Sequence, residues 1–171
     1  MATETWEARA AALWERLDDM DDDAFVQAMM DLAAECDPED PVALFEVGGA
    51  HDSTGRTEAA VGYYERAIAA GLSGVRRRRV AIQMASSLRE TGHPERALAM
   101  IAEERERGRD DKEAAAYGDA LAMCEALTLA KLGRDREGLS VALIALAPHL
   151  PRYQRSTVNY ARGLVGRDPI R

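Results

Sequence analysis

Aromatic side chains are scarce in this sequence: only 5% is Phe, Trp or Tyr, although 47% is hydrophobic. Runs of β-branched and aromatic residues between turn signals are missing, so no segment reads as a strand. No stretch approaches the roughly 18 apolar residues of a membrane span. The opening Thr3-Glu4-Thr5-Trp6-Glu7 lacks the basic and apolar regions of a secretion signal. These absences predict a cytoplasmic protein with no membrane partner. Cysteine is limited to Cys36 and Cys124, 88 positions apart and each within a helical pattern, which favours two reduced, buried thiols over a disulfide or a metal pair. His51, His93 and His149 lack paired metal-ligand spacing, and there is no glycine-rich phosphate loop. Neither a metal nor another cofactor is expected.

What the sequence does have is Ala, Leu, Val, Ile and Met at helical spacing. For 171 residues this predicts one all-α domain with a sizeable core. The net charge of −8 is unevenly spread. Residues 1–40 hold 13 acids against Arg9 and Arg16, a net of −11, which leaves +3 for residues 41–171. Residues 151–171 hold five arginines against Asp168, a net of +4. Overall acidity argues against nucleic acid as the main ligand.

In chain order, residues 4–17 read as a helix with Trp6, Ala10, Leu13, Trp14 and Leu17 along one side. Residues 18–23 form an acidic turn whose carboxylates favour the start of the next helix. The run lacks the central Gly and final Glu of a calcium loop. Residues 24–36 carry Phe25, Ala28, Met29 and Leu32 on one face, and Asp37-Pro38-Glu39-Asp40-Pro41 breaks the chain before another helix.

Between Leu44 and Leu72 the pattern tightens. Gly48 stands four residues after Leu44, Gly55 marks a turn, and Ala60, Tyr64 and Ala67 follow at steps of four and three. That stripe lets two antiparallel helices approach at the alanines while Tyr64 fills the space between them. The same punctuation recurs at Gly92-His93-Pro94, followed by Ala97 and Ile101, and at Gly133-Arg134-Asp135, followed by Gly138, Ala142 and Ala145. The spacings of 37 and 41 residues between Gly55, Gly92 and Gly133 exceed the repeat norm of about 34.

This pattern resembles the tetratricopeptide repeat. Within that class, residues 44–55 and 71–83 look like a family of small single-domain bacterial tetratricopeptide-repeat proteins. The resemblance implies a right-handed superhelical array of antiparallel helix hairpins. A degenerate hairpin at 1–37 is expected to precede repeats at 41–72, 75–108 and 111–148, with a C-terminal capping helix at 151–167. Glu104, Glu125 and Gly138 depart from the family's small-residue positions.

In stacked hairpins the first helices line a concave surface, with exposed positions at three- and four-residue steps. The candidates for holding a peptide are therefore Phe45, Gly49 and Asp52 in the first repeat, with Gly48 and Gly49 exposing backbone. The second repeat contributes Arg76, Arg79, Ile82, Gln83, Ser86 and Arg89, and the third Met123 and Leu127. Arg79 and Arg89 are expected to meet a carboxylate. Successive helical residues point about 100° apart, so at least two of the run Arg76 to Arg79 are expected to be solvated or paired with acids on the preceding helix. The family's carboxylate clamp of paired Lys and Asn is missing, with Ile82 and Ser86 at the corresponding places.

His51-Asp52-Ser53 invites a catalytic reading, but three adjacent helical residues diverge around the axis. Asp52 and Ser53 are expected to satisfy backbone groups near the turn, and His51 to pack where the family has an aromatic. The chain therefore reads as a non-enzymatic scaffold for a protein or peptide partner. The alternative is a homo-oligomer joined through its acidic front and basic end.

Overall fold

The computed structural model describes residues 4–108 and 112–170, and among these every regular element is helical. Contacts gather the chain into two compact units that divide after Ser87. The first contains α1 (Glu4–Trp14), a 3₁₀ turn at Leu17–Asp19, α2 (Asp22–Ala33), α3 (Pro41–Ser53) and α4 (Thr57–Ala69). Most of α5 (Gly74–Glu90) also belongs to it. The second has the end of α5, then α6 (Pro94–Arg107), the short α7 (Lys112–Ala115), α8 (Gly118–Lys131) and α9 (Asp135–Leu146). A 3₁₀ turn at Ala147–His149 leads into α10 (Gln154–Leu164).

Side chains and glycines place the boundaries. Asp21 caps α2 by accepting from the Asp23 and Ala24 amides. Asp40 does the same for α3 through Val42 and Ala43, both at 3.0 Å, with Pro41 in the first turn where no amide partner is needed. Asp40 is only 3% exposed, so its carboxylate is committed to this cap. Gly55, Gly92 and Gly133 take φ of +75°, +86° and +71° in the links α3–α4, α5–α6 and α8–α9, a left-handed conformation that side-chain-bearing residues avoid.

The first unit buries Trp6, Phe25, Val26, Met29, Leu32, Ala43 and Val47 in one cluster. Trp14 meets Phe25 edge-on with ring centroids 5.2 Å apart, and the Trp6 indole donates to the Leu32 carbonyl at 2.8 Å. Where α3 crosses α4, Ala60, Tyr64 and Ala67 are fully buried. A Cβ on Gly48 would stand 2.7 Å from the Tyr64 ring, so glycine sets the approach of these helices. In the second unit Gly138 stands where Ala60 does in the first, five residues after the turn glycine, and a Cβ there would lie 2.7 Å from the carbonyl oxygen of Ala126, the counterpart of Gly48. Gly138, which departs from the alanine of the repeat pattern, thus sits in close contact at the α8–α9 crossing. Glu104, also read as a departure, is 2% exposed within α6 and lies 3.9 Å from Arg107.

The capping segment forms α10, which packs on α9 through Ala161, and Arg136 donates to the Leu164 carbonyl at 3.1 Å. Two helices are shorter than their patterns: α1 stops at Trp14 because Leu17–Asp19 tightens into the 3₁₀ turn, and α2 stops at Ala33.

Candidate binding surface

Within the first unit, α3 lies between groups from α1 and α5, and its polar side chains are claimed from both sides. Glu46 accepts from the Trp14 indole at 2.7 Å and stands 3.9 Å from the Arg76 guanidinium. Arg76 also pairs with Glu7 of α1. One arginine therefore joins three helices. Burial pushes the Glu46 carboxyl above its ordinary value, opposed by the Trp14 hydrogen bond and by the charges of Arg79 and Arg76.

Nearly two turns on, Asp52 accepts from the Ser87 hydroxyl at 2.8 Å and the Tyr64 hydroxyl at 3.4 Å. Burial raises the Asp52 carboxyl, those two donors hold it back, and burial also raises the Tyr64 phenol. Asp52 thus serves two side chains rather than the backbone of the turn. Its neighbour His51 stacks on Tyr63 with centroids 5.2 Å apart and rings 13° from parallel, the aromatic packing role expected of it. Burial, helped by the charge of Arg56, lowers the His51 pKa. Ser53 is exposed. The three residues form no relay.

The arginine run divides by depth. Arg77 and Arg78 are buried, at 7% and 4% exposure, while Arg76 is tied to α1 and α3. The acids that Arg76 meets lie on α1 and α3 rather than on the preceding helix, and the long aliphatic stems of Arg77 and Arg78 let these residues occupy positions that the helix turns inward. Arg79 is different. It is exposed, its guanidinium carbon sits 5.0 Å over the Phe45 ring, and among the described residues it takes part in no hydrogen bond or ion pair.

Several expected surface positions are not open. Phe45 is 2% exposed, covered on one face by Arg79. Gly48 faces Tyr64, and a Cβ on Gly49 would meet the Trp14 ring at 3.1 Å, so neither glycine bares its backbone to a ligand. Ile82, Gln83 and Ser86 are half-buried along α5. In the second unit the Arg89 side chain is 14% exposed and bonded to Glu90 at 2.9 Å, which makes it a structural ion rather than an open one. Met123 and Leu127 stand out at 51% and 47% exposure, one turn apart on α8.

Sequence reasoning missed Glu46, Trp14 and Glu7 as members of this surface. Trp14 was legible only as part of an apolar stripe, and an acid within the apolar run of α3 was the available signal for Glu46. Cys36 is half-buried, Cys124 is buried, and both are free thiols. Among the described residues no three His, Cys, Asp or Glu side chains converge as a metal site, and no helix is long and apolar enough to cross a membrane.

Antiparallel hairpins joined by glycine turns, with a glycine at two of the crossings, define a helical-repeat protein. The family described as Tetratrico peptide repeat matches residues 41–164, and the chain belongs to it. No curated protein and no solved structure matches the chain.

Proposed function

We propose that the chain is a non-enzymatic interaction scaffold whose first unit holds a carboxylate-bearing segment of a protein partner, with Arg79 as the anchor. The supporting observation is the contrast along one run of arginines. Arg76 is neutralised by Glu7 and Glu46, Arg77 and Arg78 are buried, and Arg79 alone presents an uncommitted guanidinium to solvent. The guanidinium, 5.0 Å over the Phe45 ring, is a planar fork that matches a carboxylate with two parallel hydrogen bonds. Ile82 and Gln83, on the same helix, supply an apolar and an amide group beside it.

Screening a displayed peptide library tests this reading. Wild type should enrich peptides carrying Asp, Glu or a free C-terminus. Arg79→Gln should lose that enrichment at least tenfold, while Arg155→Gln, an exposed arginine of α10, should retain it. Equal enrichment by wild type and Arg79→Gln would sink the proposal.

A further inference from the structure

The outward side of α10 is unusual for a helix packed on a neighbour. Tyr153 and Tyr160 are 76% and 75% exposed, and Arg152 and Arg155 of the same segment are exposed as well. Asn159 bonds the backbone of Ile170 in both directions, at 2.8 and 3.4 Å, which lays Ile170, 43% exposed, along the same helix. Two aromatics seven residues apart therefore share one side of α10, with exposed arginines elsewhere on the same segment. Among the described residues Tyr153 is the only non-glycine with positive φ, +70°, a backbone cost borne where its ring touches little.

The first unit carries the complementary features. A cavity of 320 Å³ between α1 and α2 is lined by Ala12, Leu13, Ala28 and Leu32 together with Arg9 and Arg16. Arg9 is held by Glu35 through two hydrogen bonds of 2.6 and 2.7 Å. Glu15, Asp18, Asp19 and Asp31 are exposed on the same hairpin, and these four are among the acids left after Glu7, Asp23, Glu35 and Glu39 of the acidic stretch 1–40 pair with Arg76, Arg56, Arg9 and Arg66. The α10 segment 151–171 has five arginines against Asp168.

We infer that this protein self-associates head to tail, with Tyr160 of one copy entering the α1–α2 cavity of a second copy and the α10 arginines facing that hairpin's acids. Aromatic anchors seated in apolar pockets carry most of the binding energy of such contacts, while charge pairs at the rim set orientation and salt dependence. The two surfaces differ, so the contact is heterologous: each copy keeps one surface of each kind and growth past a dimer is permitted. Neither surface includes Arg79, so the inference does not rest on the groove reading.

Sedimentation velocity on three proteins tests it: wild type, Tyr160→Glu/Arg155→Glu, and Ala12→Lys. Ala12 is exposed, so the lysine narrows the cavity and repels the arginines without entering the core. Wild type should show mass that rises with concentration at about 0.05 M salt and association at least tenfold weaker at about 1 M, where the screening length falls to about 3 Å. Each variant alone should stay monomeric with unchanged helicity by circular dichroism. An equimolar mixture should stop at a dimer, since each variant contributes its one intact surface. A monomeric wild type at low salt, variants that assemble as wild type does, or a mixture that stays monomeric would each overturn the inference. Arg79→Gln should assemble like wild type, which separates this outcome from the groove experiment.

Discussion

The Cβ that Gly48 lacks would stand 2.7 Å from the ring of Tyr64, itself fully buried between Ala60 and Ala67. Neither side can yield cheaply, because the ring fills the space between two helices. Gly48→Ala should destabilise the protein by about 1–3 kcal/mol through overpacking, more than the helix propensity gained. Gly62 is the control: it lies in α4 with nothing within 4 Å of its missing Cβ. Gly62→Ala should gain about 0.5–1 kcal/mol. Denaturant melts of the two variants check both signs.

Gly138→Ala should follow Gly48→Ala in direction and be harder to accommodate. Its Cβ would meet the backbone oxygen of Ala126 rather than a side chain. A change in helix separation rather than a ring rotation is required. Thermal unfolding should start earlier in this variant than in Gly163→Ala, where the added methyl meets nothing.

Arg76 and Arg79 should separate stability from recognition. Arg76→Met leaves Glu46, whose side chain is 11% exposed, with Trp14 as its hydrogen-bond donor. Loss of a partner to a mostly buried acceptor costs about 1–3 kcal/mol, and the partial exposure of Arg76 and Glu7 places the expected value near the lower end. Arg79→Gln removes an exposed cation–π contact and should change stability by less than about 1 kcal/mol. Equal losses in the two variants would contradict the division of roles along α5.

Two side chains of α3 give opposite pH responses. The Asp52 carboxyl is raised above its ordinary 3.8 by burial, so the folded state binds the extra proton and this group's contribution grows as pH falls toward that value. His51 is lowered from 6.5 by burial, so its contribution is present above pH 6.5 and declines as pH drops through the lowered value. Asp52→Asn should therefore differ from wild type most near neutrality and converge with it in acid. His51→Phe should show the reverse, gaining on wild type below pH 6.5. Melting temperatures measured across that range give the two trends.

Tyr153 holds φ of +70° just ahead of α10, with its hydroxyphenyl group 76% exposed. A bulky residue in the left-handed region costs about 1–2 kcal/mol, and asparagine tolerates that region better. Tyr153→Asn should raise stability by about 0.5–1 kcal/mol and, if the tyrosine supports self-association, weaken that association. A drop in melting temperature would show that its ring makes a larger contribution to the fold than its exposure implies.

The helices and their turns were largely legible because they depend on neighbours in sequence. Gly55, Gly92 and Gly133 mark turns by backbone freedom, and Ala60, Tyr64 and Ala67 declare a packed face by their steps of four and three. The surface was less legible because it depends on what lies opposite. Nothing local to Gly49 reveals that Trp14 covers it, or that Arg76 reaches Glu7, 69 residues away. The close approach of Gly138 to the Ala126 carbonyl on another helix is hidden for the same reason. The 100° step along a helix showed that the four arginines must diverge, but not that Arg77 and Arg78 are the two buried members.

Cys36 and Cys124 fall in different units, and burial raises both thiols above their ordinary range. Only the thiolate reacts, so alkylation of Cys124, 2% exposed, waits for α8 to open, while half-buried Cys36 in its 330 Å³ groove beside Pro38 and Tyr63 reports on the α2–α3 junction. The chain thus carries one natural clock in each half. Mass-resolved labelling can time the opening of each without a single engineered residue.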